Sequence, residues 1–149
     1  VFWFELGPEG YSYGMGFWQA PAVTMAKFRS RIDRDPAPME KLARRLSRQH
    51  RFVLEGEMYK RPKGDPGPLL FPWYNRKNIA LTWDRNCEGS LFTPELAGEA
   101  EESFRFLRPY YDYFLSLRGD PAPDASSFSK IFIFFPQNLL TSPRLCGTL

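Results

Sequence analysis

Two short stretches near the start of the chain alternate residue by residue between bulky and small or polar side chains. Residues 2–6 read FWFEL and residues 11–19 read YSYGMGFWQ, with the turn sequence GPEG between them. Side chains two positions apart in a strand point to the same face of a sheet. In the second stretch one face therefore carries four bulky residues, and the other carries Ser12, Gly14 and Gly16. This alternation predicts an antiparallel β-hairpin.

Helical periodicity predicts three longer helices in the rest of the chain. Apolar residues recur at helical spacing in residues 22–33 and from residue 38 or 39 to about residue 50. Thr93, Pro94 and Glu95 are typical of a helix start, and this helix is expected to reach Leu117. Further strands are predicted at residues 52–58 and 79–83, with a helical turn within residues 69–76. The fold class that follows is α+β, with an antiparallel sheet of three to four strands and helices packed on one face.

Composition narrows the class of protein. The 149 residues suffice for one domain with a core, and the net charge of +3 is too small an excess to favour nucleic-acid binding. Cys87 and Cys146 lie far apart, which argues against a disulfide framework or a zinc site and for a reducing compartment. The apolar run at residues 131–135 is too short to cross a bilayer. The sequence therefore predicts a cytoplasmic protein without cofactor, metal or membrane association, and makes no prediction of oligomeric state.

A basic segment bounded by proline and glycine follows the strand predicted at residues 52–58. Lys60 and Arg61 directly precede a proline, and Lys77 precedes the next strand. A guanidinium grips a carboxylate or phosphate with two hydrogen bonds, and a lysine adds a point charge. The segment predicts a binding site for a small anionic or phosphorylated ligand, centred on these three cations. The alternative is a solvated strand end with ordinary surface charges.

Gly14 and Gly16 are a second candidate for ligand binding. A nucleotide-binding loop places its glycines between a strand and a helix and has a third glycine, whereas position 19 is Gln19 within a strand pattern. Close packing of a helix on the glycine face is the interpretation that the sequence favours.

Glu57 is a third candidate, because it follows Glu55 by two positions on one predicted strand. The two carboxylates are then about 7 Å apart on the same face, a spacing open to acid–base chemistry. Pairing with Lys60 or Arg61, or simple exposure to water, are the alternatives. The second predicted helix carries a further basic surface, which comprises Lys41, Arg44, Arg45 and Arg48. For this surface, exposure to water is the favoured interpretation, and contact with phosphates is the alternative.

Several segments, taken in order, resemble the DUF2461 family. They are FWFEL, GYSYGMGFWQAP, FRSRI, LEGEMYKRPKGD, RKNIAL and FTPELAGEAEESFRFLRPYYDYF, and together they span about residues 2–117. The family is a domain of unknown function, so the resemblance implies a fold and little chemistry. It also implies that Lys60 and Arg61 match the family's K-R-P motif and that Lys77 matches the lysine that follows it.

The chain departs from the family's pattern in two places. The family's R-x-x-R-D-x-R-F motif lies amino-terminal to this region and has no match here, so residues 1–117 are expected to be the carboxy-terminal portion of the domain. Residues 118–149 match nothing in the family and are expected to be a linker and a poorly ordered tail, either a gene-model artefact or a lineage-specific extension. Two further hypotheses remain open: an enzyme with its catalytic groups in the amino-terminal segment, and weak nucleic-acid binding through residues 41–48.

Overall fold

A computed structural model describes residues 1–87 and 89–123 of the chain. In this part an antiparallel sheet with the strand order β1-β2-β4-β3 packs against helices, which confirms the predicted α+β class. The strands are Phe2–Leu6 (β1), Gly10–Phe17 (β2), Val53–Glu55 (β3) and Ile79–Asn86 (β4). The helices are Ala22–Arg34 (α1), Ala37–Ser47 (α2), Phe71–Tyr74 (α3) and Glu95–Ser116 (α4), with 3-10 turns at Gly89–Phe92 and Leu117–Gly119.

The predicted hairpin is present and forms one half of the sheet. Strand β1 pairs with β2 in the register that sets Phe4 opposite Tyr13. Strand β2 then pairs with β4 along its whole length, from Gly10 opposite Asn86 to Phe17 opposite Ile79. The fourth strand is therefore three residues longer than its sequence pattern predicts, because β2 offers a full ladder of hydrogen-bonding partners.

The core lies between one face of the sheet and the helices. Of the four bulky side chains of β2 predicted to share a face, Tyr11, Tyr13 and Met15 are buried and Phe17 is half-buried. The α4 residue Phe114 packs on Phe17 and on Phe28 of α1, with ring centroids 5.6 and 5.1 Å apart. Trp73 is buried, and its ring stacks on Tyr110 of α4. The aromatic residues thus join the sheet, α1 and α4 into one apolar layer.

Strand β3 is shorter than its pattern predicts. It ends at Glu55 because Gly56 has a φ of +128°, a conformation that breaks the strand and that side chains with a Cβ rarely adopt. A single bridge between Met58 and Arg76 is all that continues the pairing. Because Gly56 separates them, Glu55 and Glu57 do not share the face of one regular strand, and that prediction is wrong.

Helix α4 covers most of its predicted span. It begins at Glu95, two residues after Thr93, and continues through Pro109 to Ser116. Among the described residues no helix has both the length and the apolar character needed to cross a membrane. Most of the predicted linker and tail, residues 124–149, lies outside the described part of the chain.

Candidate anion-binding site

Residues 59–65, hereafter the basic loop, connect the end of the sheet to the approach of α3. Asn75 holds this loop from beneath and is only 1% exposed. Its Oδ1 accepts hydrogen bonds from the Lys63 and Gly64 amides at 2.6 and 3.4 Å, and its Nδ2 donates to the Gly64 carbonyl at 3.0 Å. The backbone amide of Tyr59 also donates to the Asn75 carbonyl at 2.9 Å. The basic loop is therefore bonded near both of its ends to Asn75, the residue directly after α3.

The residues that follow Asn75 fix the segment just before the basic loop. The Arg76 guanidinium donates to the carbonyls of Gly56 and Leu54, the latter at 3.1 Å. Burial lowers the pKa of Arg76. Asn78 accepts a hydrogen bond from the Glu57 amide at 2.6 Å. Together these bonds hold the backbone after β3 in one conformation.

The predicted cations divide into two groups. Lys77 forms an ion pair with Glu57, so the structure joins two of the predicted site residues, although the sequence suggested Lys60 or Arg61 as the partner of this glutamate. Lys60 and Arg61 lie exposed on the basic loop, as does Lys63. Within residues 1–87 and 89–123, none of these three forms an ion pair with an acidic side chain. The basic loop thus presents three cations that form no ion pair in the described part of the chain.

A fourth cation, Arg29 of α1, lies behind the basic loop. It is 8% exposed, and its guanidinium carbon lies 5.4 Å from the centre of the Tyr59 ring. The Lys63 ammonium lies 4.8 Å from the same ring. Sequence reasoning missed Arg29, although one indication was available: it shares the buried face of α1 with Met25 and Ile32, where a charged residue is unusual.

Two further groups border Arg29. The Tyr74 hydroxyl lies 3.0 Å from both carboxylate oxygens of Asp33, which is one helical turn after Arg29. Burial, together with this carboxylate, raises the pKa of Tyr74 to about 12, so the phenol is protonated at neutral pH and donates the hydrogen bond. A Cβ on Gly64 would meet the Tyr74 ring at 2.9 Å, which explains the glycine at this point of the loop.

Gly14 and Gly16 lie within β2, separated from β3 by β4. A Cβ on Gly14 would collide with the Leu81 carbonyl oxygen, and one on Gly16 would lie 2.9 Å from the Ile79 carbonyl oxygen. Close packing explains both glycines, although strand β4 is the neighbour here and a helix was expected. Their role in ligand binding stays a prediction, and they lie apart from the basic loop.

The basic face of α2 is partly engaged within the protein. Arg44 pairs with Glu40 at 3.1 Å, and the Arg45 guanidinium lies 4.5 Å from the centre of the Phe106 ring. Lys41 and Arg48 are exposed. As for metals, the described residues contain no group of three or more histidine, cysteine, aspartate or glutamate side chains placed to hold an ion.

Comparison with known proteins identifies the family of this chain. The family model described as "conserved hypothetical protein (DUF2461)" matches residues 1–113. The chain belongs to the DUF2461 family. No curated protein and no solved structure matches it significantly. The DUF2461 match includes the basic loop, Arg29 and Asn75, so the whole candidate site lies within the family's domain. That the chain holds only the carboxy-terminal portion of this domain stays a prediction.

Proposed function

We propose that this DUF2461 protein binds a small anionic ligand and that the basic loop is the recognition site. The observation that carries the proposal is the placement of Lys60, Arg61 and Lys63 on a loop whose backbone is fixed by Asn75. Widely separated cysteines are typical of a reducing compartment, which supports binding in the cytoplasm.

Fixed cations bind anions more tightly than mobile ones. A charge on a flexible segment loses conformational freedom when it binds, and this loss opposes affinity. The basic loop has already lost that freedom on folding, because its amides and one of its carbonyls bond to a buried side chain. Arg61 supplies a planar fork of donors and Lys60 a compact point charge, a combination suited to an oxyanion.

Isothermal titration calorimetry with pyrophosphate and with citrate tests the proposal. The double variant Lys60→Ala/Arg61→Ala is expected to bind at least about tenfold more weakly than the wild type, because two charge-assisted contacts are lost. The matched control is Lys41→Ala/Arg48→Ala, which removes two exposed charges from α2 and is expected to change the affinity by less than about twofold.

Two outcomes would contradict the proposal. One is the absence of measurable heat with both anions at low ionic strength. The other is an equal loss of affinity in the loop variant and in the α2 variant, which would show a response to net charge alone. The second result would favour diffuse electrostatic attraction, the mode expected for weak nucleic-acid binding.

A further inference from the structure

Arg29 is a buried charge with no anionic partner in the described chain. Its Nη1 is shielded from solvent and has no hydrogen-bond partner among the described residues. No acidic oxygen lies within 4.0 Å of its guanidinium in residues 1–87 and 89–123. Buried charged groups are almost always paired, since an uncompensated charge in the interior costs stability. An anion from outside the described chain would supply the contact that Nη1 of Arg29 lacks.

The surroundings of Arg29 point to what that partner is. Arg29 and Lys63 both approach the ring of Tyr59, at 5.4 and 4.8 Å from its centre. Asp33, one turn along α1, accepts the Tyr74 hydroxyl, and within residues 1–87 and 89–123 it forms no ion pair with Arg29. Two cations therefore approach one aromatic ring, and neither forms an ion pair in this part of the chain.

We propose that Arg29 and Lys63 form a phosphate-binding site and that the Tyr59 ring covers this site in the ligand-free protein. The inference rests on the proposed function and deepens it, since it names a phosphate monoester as the ligand class. The two negative charges of a phosphate monoester balance the two cations, whereas a monocarboxylate balances one. Its oxygens accept hydrogen bonds from both the arginine fork and the lysine ammonium.

In this proposal the ring of Tyr59 moves aside when the ligand enters, since Nη1 of Arg29 is shielded from solvent and the ring centre lies 5.4 Å from the guanidinium carbon. The ring offers the guanidinium only the attraction of its π face, which is weaker than a charge-assisted hydrogen bond to a phosphate oxygen. Binding then exchanges the weaker contact for the stronger one. Tyr59 lies directly before Lys60 and Arg61 in the chain. A ligand that takes the place of the Tyr59 ring is therefore next to the exposed cations of the basic loop.

Substitutions of Arg29 test the assignment with two measurements. In phosphate-free buffer, Arg29→Met is expected to raise the melting temperature, because an uncompensated buried charge is replaced by an apolar side chain of similar length. Calorimetry with phenyl phosphate is expected to show at least about tenfold weaker binding to the same variant. Arg29→Lys keeps the charge without the fork and is expected to bind phenyl phosphate with an intermediate affinity.

Substitutions of Tyr59 test the covering role. Tyr59→Ala removes the ring and is expected to tighten phenyl phosphate binding by about threefold or more, because the ligand no longer competes with a cation–π contact. Tyr59→Phe retains the ring and is the matched control, expected to bind like the wild type. Weaker binding to Tyr59→Ala would overturn the covering role, since it would show that the ring supports the ligand.

The outcomes separate this inference from the proposed function. If Arg29→Met lowers the melting temperature and binds phenyl phosphate as the wild type does, Arg29 is structural and the inference is overturned. In that case a loss of affinity in Lys60→Ala/Arg61→Ala still supports the basic loop as an anion site. If benzoate binds as tightly as phenyl phosphate, the ligand class is wrong. If phenyl phosphate does not bind to the wild type, this inference is overturned, whereas the proposed function is overturned only if pyrophosphate and citrate also fail to bind.

Discussion

Asn75 illustrates how one side chain sets the geometry of the candidate site. It makes four hydrogen bonds with the backbone of residues 63, 64 and 71 while nearly fully buried. Asn75→Ala is expected to lower the free energy of unfolding by about 2–3 kcal/mol, because it removes four hydrogen bonds to partly buried backbone groups. Urea denaturation measures this loss. The same variant is expected to bind pyrophosphate more weakly although no charge is removed.

Asn86→Ala serves as the control for Asn75, because Asn86 is exposed at the end of β4. We expect it to change the free energy of unfolding by less than about 0.5 kcal/mol. Unchanged pyrophosphate affinity in a folded Asn75→Ala protein would show that the loop geometry does not matter for binding.

The residues of the site differ in how far the sequence could predict them. Lys60 and Arg61 stand out in the sequence because charge clusters next to proline and glycine. Asn75 and Asn78 do not stand out. The side chain of Asn75 bonds to backbone groups 11 and 12 positions away, and that of Asn78 bonds to backbone groups 21 and 60 positions away. Such contacts follow from tertiary structure and leave no periodic pattern. Arg29 lies between these cases, because its place on an apolar helix face was visible in the sequence.

Gly56 terminates strand β3, and the chain continues from it to the basic loop. Gly56→Ala is expected to lower the free energy of unfolding by about 2 kcal/mol or more, because the residue has a φ of +128° and a Cβ would meet the Asn78 carbonyl. Chemical denaturation of the purified variant measures this effect.

Gly98→Ala is the contrasting substitution. Gly98 lies inside α4, and apart from the backbone of α4 itself no atom of the described residues lies within 4 Å of an added Cβ, so alanine is expected to raise the free energy of unfolding by up to about 1 kcal/mol. A similar response of the two glycines would contradict the role given to Gly56.

The elements themselves were largely predictable. Alternation identified β1 and β2, and helical spacing identified α1, α2 and α4, since both patterns reflect burial of one face. The error at β3 has a specific cause. Residues 52–58 keep an acceptable strand pattern, and a glycine in such a pattern does not disclose whether its φ is negative or positive.

An ion pair between Arg31 and Asp120 connects α1 to the residues that follow α4. Nε and Nη2 of Arg31 each donate to a carboxylate oxygen of Asp120 at 2.7 Å. Hydrogen bonding from Arg31 lowers the pKa of Asp120 in the folded protein. The pair therefore contributes stability that is complete above the unfolded pKa of about 4 and is lost as the pH falls through the folded pKa.

Asp120→Asn is expected to lower the free energy of unfolding at pH 7 by about 1 kcal/mol, and the difference from the wild type should shrink as the pH falls below about 4. Denaturation at a series of pH values measures this difference. Glu40→Gln, which breaks the exposed pair with Arg44, is the control and is expected to cost at most about 0.5 kcal/mol. A pH-independent effect of Asp120→Asn would contradict an ionic contribution.

The sequence predicts the fold of this protein better than it predicts the ligand. The order of patterned segments was enough to predict an α+β domain of the DUF2461 family, because fold class follows from which elements must bury an apolar face. The ligand depends on a few polar groups that the folded chain brings together, such as Arg29 of α1 and the basic loop, which lie about 30 positions apart in sequence.

Amide chemical shifts recorded during a pyrophosphate titration locate the bound anion on the chain and so test whether the basic loop is the binding site. We expect saturable changes in the amides of residues 59–65 and of Arg29, and none beyond the effect of ionic strength in residues 41–48. Changes confined to residues 41–48, or spread evenly over all basic surfaces without saturation, would contradict an anion site at the basic loop.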